Sequence, residues 1–169
     1  MRSVLVNKYE TLLSPIEIAP NFVMKNRMIK APQSSWRWNL DNTADGSDAL
    51  AMYENMAAGG LDAINVAAIL WEPAPGIYLG AYDDKFVPGM KELTAAIHKH
   101  DCLAIGQLHH IGPSGGLGPN GELPVGASSL TADEIPVPAP WCHPTRGLSV
   151  DEIHEAQRKQ IEAAVRLKE

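Results

Sequence analysis

Leu103-Ala104-Ile105-Gly106-Gln107-Leu108-His109-His110 is a short apolar run that ends in an amide and two imidazoles. It then opens into roughly forty residues rich in glycine and proline. Bounded by turn signals on both sides, such a run reads as a strand buried on both faces, as in a parallel sheet. Ligands gather at the carboxyl ends of parallel strands, so Gln107, His109 and His110 are the first candidates for chemistry.

Working outward, strand-like and helix-like runs alternate, which is the pattern of βαβ units and an α/β fold. The first strand is read at Arg27–Pro32. Before it, Ile16-Glu17-Ile18 and Phe22-Val23-Met24 flank Ala19-Pro20-Asn21 as a small hairpin expected to plug one end of the sheet or barrel. Ser47 can cap a helix carrying Leu50, Tyr53, Met56 and Ala57 on one side, and Gly59-Gly60 can stop it. A second strand follows from Leu61 to Ala68, and Ile69 to Val87 reads as a long loop. Pro88 suits the first turn of a second helix with Met90, Leu93 and Ile97 on one face, which leads into the strand quoted above. The segment Ile111 to Leu148 is expected to be a helix-free lid or binding loop. Ser149-Val150-Asp151-Glu152 is a capping box, and the third helix is expected to bury Val150, Ile153, Ile161 and Ala164. That helix meets no stop signal before Glu169, so the chain reads as cut, with sheet edges that something else should cover.

Composition narrows the function classes. The chain has 169 residues, 45% apolar and 20% charged, which suits one globular domain. A net charge of −6 without a large basic cluster argues against nucleic acid or an anionic membrane as partner. No apolar run reaches the ~20 residues of a membrane span, and two cysteines make no disulfide framework. A cytoplasmic protein is the expectation.

Four stretches together carry a resemblance: Leu12-Leu13-Ser14-Pro15-Ile16, then Lys25-Asn26-Arg27-Met28-Ile29-Lys30-Ala31-Pro32, then Tyr53-Glu54-Asn55-Met56-Ala57-Ala58-Gly59-Gly60, then Gly106-Gln107-Leu108-His109-His110-Ile111-Gly112. In this order they resemble the amino-terminal part of an old yellow enzyme, one of the FMN-dependent NAD(P)H:flavin oxidoreductases that reduce activated alkenes. The likeness runs over nearly the whole chain. It implies a partial TIM (β/α)8 barrel comprising the first three βα units with an N-terminal β-hairpin, with residues 1–169 forming the N-terminal portion of a single FMN-binding domain. A complete barrel takes about 250 residues.

By motif position the resemblance places Ala31, Pro32, Gln33 and Ser34 beside the isoalloxazine, and Ala68 and Gln107 at its pyrimidine ring. The Ser34 hydroxyl and the Gln107 amide supply the polar groups that such an edge uses. Trp36 falls where some members place an aromatic residue near the substrate. The family often has Arg after the His-x-Gly of this strand, but Pro113 stands there and the role of that cation is lost. The resemblance further implies that the histidine pair holding the substrate, the tyrosine proton donor and the FMN phosphate site come from later strands, so no catalytic residue is assigned within the chain. Cofactors are then FMN with NADH or NADPH as reductant. The partners are a small activated alkene and either a second copy of the chain or the remaining barrel half. The competing reading is a stand-alone α/β binding or assembly module completed by a partner chain.

Bland readings stand beside these. Gln107 could be a satisfied strand-end amide. His109 and His110 point to opposite faces of a strand and cannot both chelate one metal, so His110 is expected to pack beneath the loop. Cys102 reads as a small buried hydrophobe and Cys142-His143 as a plain turn. Trp36 and Trp38 read equally well as lid or packing residues and as substrate contacts. Gly115-Gly116-Leu117-Gly118 has no helix directly behind it and is a poor phosphate cradle.

Overall fold

The computed structural model describes residues 8–118, 120–135 and 142–169. A short helix α1 (Glu10–Leu13) leads into an antiparallel hairpin of β1 (Ile16–Ala19) and β2 (Phe22–Met24). Asn21 turns the hairpin at φ +63°, a left-handed conformation that Asn tolerates better than most side chains. The hairpin lies at the amino-terminal ends of the barrel strands. There the Lys25 backbone N–H donates to Asp62 Oδ1 at 2.6 Å, and Lys25 Nζ donates to the carbonyls of His100 and Asp101.

The main sheet contains β3 (Ile29–Ser34), β4 (Ala63–Leu70), β5 (Leu79–Gly80) and β6 (Leu103–His109), all in parallel pairings around β4. Since β6 pairs with β4 from Ala63 through Leu70, β3 and the short β5 share the other side of β4. Helices α2 (Asp48–Ala58), α3 (Val87–His98) and α4 (Val150–Lys168) follow β3, β4 and β6 in turn. Three βα units with their strands side by side in chain order are arranged as in one arc of a (β/α)8 barrel.

The core lies between the sheet and the helices. Tyr53, Phe86, Ile64, Ile69 and Ile97 are fully buried there, and Trp38 stacks on Tyr53 with ring centroids 5.5 Å apart. Trp38 is therefore a packing residue. Cys102 is buried in the same core, as expected of a small hydrophobe. Leu50, Tyr53 and Ala57 of α2 and Met90, Leu93 and Ile97 of α3 form the buried faces that their spacing indicates.

Several expectations need correction. The first two strands begin two residues later than the apolar pattern suggests. Asn26 Oδ1 accepts from the Met28 N–H at 2.9 Å, so a local turn occupies the chain ahead of Ile29. Asp62 is likewise engaged by Lys25, and the β4 ladder starts at Ala63. The segment after residue 68 is not all loop: Ile69 and Leu70 finish β4, and Leu79-Gly80 forms β5 beside them. Ser47 sits at the N-cap of α2, yet its hydroxyl makes no capping bond.

The segment from Ile111 to Leu148 also holds more structure than expected. It contains 3₁₀ turns at Gly112–Gly115 and Ala132–Glu134, and a parallel pair of β7 (Val125–Gly126) with β8 (Arg146–Gly147). β6 is not buried on both faces: Ile105, Gly106 and Gln107 are exposed, because one of its edges has no neighbouring strand among the described residues. In α4 the expected face of Val150, Ile153, Ile161 and Ala164 is the exposed one, while Ala163 is buried and Ala156 and Leu167 pack on the core. On the inward-turned side, Lys159 pairs with Glu72 and Arg166 with Asp84.

Candidate active site

Two bulges set the geometry at the carboxyl ends of the strands. Between Lys30↔Ile64 and Gln33↔Val66, the two residues Ala31 and Pro32 of β3 oppose Asn65 alone. Between Val66↔Gly106 and Ile69↔Leu108, Ala67 and Ala68 of β4 oppose Gln107 alone. A bulge removes a residue from the ladder and re-aims its neighbours, and proline fits one because it has no N–H to donate. Ala31 to Ser34, Ala68 and Gln107 are thereby brought together on three adjacent strands.

Their exposure differs in a useful way. Ala31, Pro32, Gln33 and Gln107 are exposed, Ser34 is half-buried and Ala68 is buried. Ala104 and Leu108 pack on the helical core, so the alternate residues Ile105, Gln107 and His109 share the opposite face of β6. The Gln107 amide forms no hydrogen bond among the described residues. Its free donor and acceptor, the Ser34 hydroxyl and backbone groups released by the β4 bulge suit the polar edge of a planar heterocycle.

An aromatic row borders this end of the sheet. Trp36 and Tyr78 have ring centroids 5.4 Å apart, and Tyr78 and His109 are 6.2 Å apart. Trp36 is 59% exposed and held at φ +54°, an uncommon backbone conformation for so large a side chain. Burial, reinforced by the neighbouring His110, pushes the His109 pKa below the usual histidine value and favours its neutral ring.

His110 faces away from that row. Its ring stacks on Trp71 at 5.1 Å, and its Nε2 lies 3.1 Å from Glu72 Oε1. Glu72 Oε2 pairs with Lys159 Nζ at 3.1 Å, which ties the ends of β4 and β6 to α4. A cavity of about 500 Å³ opens beside these residues and is lined by Glu72, His109, His110, Gly116 and Glu122 among others. Tyr78 and Glu72 were not singled out from sequence. Both lie in the Gly- and Pro-rich segment after β4, where no periodicity marks a side chain as facing a site.

Polar groups at the carboxyl ends of parallel strands lie where (β/α)8-barrel enzymes place their active sites. The chain belongs to the NADH:flavin oxidoreductase / NADH oxidase family, whose sequence model matches residues 11–169. By its description the family joins NADH and a flavin in oxidoreductase chemistry. It is similar to the NADH oxidase of Thermoanaerobacter brockii, with 31% identity over 161 residues that cover 88% of this chain and 22% of that protein. Among solved structures, the Zymomonas mobilis old yellow enzyme homologue matches with a TM-score of 0.76 at 24% identity, over 92% of this chain and 44% of that one. Histamine dehydrogenase from Rhizobium sp. 4-9 matches with a TM-score of 0.72 at 30% identity, over 96% of this chain and 24% of that one. The chain thus spans less than half the length of each of these proteins.

Proposed function

We propose that this chain forms one side of the FMN site of an oxidoreductase that reduces activated C=C bonds. The observation that carries the reading is the pair of bulges, which sets Ala31–Ser34, Ala68 and the unpartnered amide of Gln107 side by side. FMN, when bound, supplies hydride transfer between a nicotinamide and the alkene. Ala31, Pro32 and Gln33 form a wall for the ring system, and Ser34 offers a hydroxyl donor to it. Ala68 offers backbone groups to the pyrimidine edge, where Gln107 supplies a donor and an acceptor. Trp36, Tyr78 and His109 line the approach of the substrate.

The substrate-oxygen ligands, the proton donor and the phosphate site belong, on this reading, to the remaining barrel units, and residues 1–169 are one portion of a single domain. The free edge of β6 and the exposed apolar stripe of α4 favour completion by further βα units. They also leave open an assembly module completed by a partner chain. A reducing, cytoplasmic setting suits the two free cysteines.

The test is an FMN titration of the flavoprotein containing these residues, followed by nicotinamide oxidation with an activated alkene. Replacing Gln107 by Leu is expected to raise the FMN dissociation constant roughly tenfold, the effect of one or two lost hydrogen bonds. Unchanged FMN affinity in that variant removes Gln107 from the site, and a wild-type protein that binds no FMN ends the proposal.

A further inference from the structure

Asn42 lies in the connection between β3 and α2, outside every motif that carries the resemblance. It is only 7% exposed, and its backbone is held at φ +67°. All its polar groups are engaged. Its N–H donates to the Asn39 carbonyl at 3.0 Å, and its carbonyl accepts from the Gly80 N–H at 2.8 Å. Its Nδ2 donates to the Tyr78 carbonyl at 3.0 Å and more weakly to the Gly76 carbonyl at 3.4 Å, while its Oδ1 accepts from the Tyr82 hydroxyl at 3.0 Å.

Four of these five bonds reach the connection between β4 and α3, the same segment that presents Tyr78. One side chain therefore joins two loops, one bearing Trp36 and the other Tyr78. The half-buried Tyr78 ring lies against Gly76, where a Cβ would stand 2.5 Å from it, so the ring occupies a place that only glycine leaves open. The chemistry also selects asparagine. Its amide donates and accepts at once, and it tolerates the left-handed backbone. A carboxylate in its place would face the carbonyl oxygens of Gly76 and Tyr78 without a proton to offer.

We infer that Asn42 is a positioning residue, which seats Tyr78 between Trp36 and His109 and so shapes the aromatic wall over the strand ends. Its catalytic consequence rests on the FMN and alkene reading above; its structural content does not. In the FMN-loaded protein, Asn42→Gly keeps the backbone conformation and removes the amide. The KM for trans-cinnamaldehyde is expected to rise roughly three- to tenfold, the effect of losing one or two hydrogen bonds that hold the wall, while flavin reduction by the nicotinamide changes less than about twofold.

The second readout needs no turnover. The His109 ring-proton shift in NMR senses the stacked Tyr78 ring, and Tyr78→Leu fixes its value when that ring is missing. Asn42→Gly is expected to move the shift toward the Tyr78→Leu value. Asn42→Asp, which keeps the size and backbone tolerance but loses the donor, gives the same readout should Asn42→Gly fail to fold. A shift that stays at the wild-type position in folded variants overturns the inference, as does an equal loss in flavin reduction and alkene turnover. A shift that moves in a protein without FMN turnover supports the positioning role and removes only the reading of the site.

Discussion

His109 and His110 are sequence neighbours with opposite environments. His110 meets a carboxylate, Glu72, whereas His109 faces the aromatic row and the Gln107 side of the strand. Burial lowers the His109 pKa, so the folded protein binds fewer protons there than the unfolded chain does. Its contribution to stability is therefore complete above about pH 6.5, the ordinary histidine value, and declines as pH falls below it. An NMR titration of the ring protons is expected to place the His109 midpoint below that value, and a midpoint at or above it contradicts the assigned environment. The place of Gln107 near the end of its strand was legible at this scale, since an amide that closes an apolar run is conspicuous. Tyr78 and Asn42 were not, because a loop sequence does not say which distant loop its side chains will meet.

At the scale of elements, helix α4 shows what local sequence decides. Its capping box forms as expected: the Ser149 hydroxyl accepts from the Glu152 N–H, and Glu152 Oε2 accepts from the Ser149 N–H at 2.8 Å. Arg146 adds a two-pronged pair to the same carboxylate at 2.8 Å on each prong, joining β8 to the helix start. Arg146 first, then the Ser149 bonds, lower the Glu152 pKa to about 2. A depressed carboxylate stabilises the fold above its unfolded pKa and loses that contribution as pH falls through the folded value. Thermal unfolding followed by circular dichroism is expected to show stability lost between about pH 4.5 and pH 2, with Glu152→Gln flattening that part of the profile.

A Cβ on Gly80 would meet the buried Phe86 ring at 2.8 Å, and the ring is enclosed by the core. Gly80→Ala is expected to cost about 1–3 kcal/mol, the range for overpacking, read from the urea midpoint. An unchanged midpoint would show that Phe86 yields without cost. β5 itself was hidden in the sequence because a two-residue strand has no period to detect.

At the scale of the whole molecule, the sheet exposes apolar groups on the face that a full barrel encloses. Ile29 and Ile105 are 50% and 43% exposed, and on α4 Ile161 and Val165 are 65% and 54% exposed. Apolar patches beside a free strand edge promote association. The 169-residue polypeptide on its own is expected to self-associate in sedimentation experiments as concentration rises, and Ile161→Lys with Val165→Lys is expected to reduce it. A strictly monomeric wild-type chain at all concentrations runs against that expectation.

The α/β class, the order of hairpin and βα units, the capping box of α4 and the polar strand end at Gln107 could be read from the residues alone. These follow from periodicity, turn chemistry and capping, which act within a few residues. The strand registers, the two bulges that gather Ala31–Ser34, Ala68 and Gln107, and the rotation of α4 emerge only from contacts between distant segments. Register and rotation depend on which partner fills each face. On α4, Ala156, Ala163 and Leu167 pack on the core while Ile161 lies outward, against the expected face, and the Lys159–Glu72 and Arg166–Asp84 pairs accompany that rotation. The aromatic wall belongs to the same class of outcome: Trp36, Tyr78 and His109 come from three separate segments, and Asn42 binds two of them together.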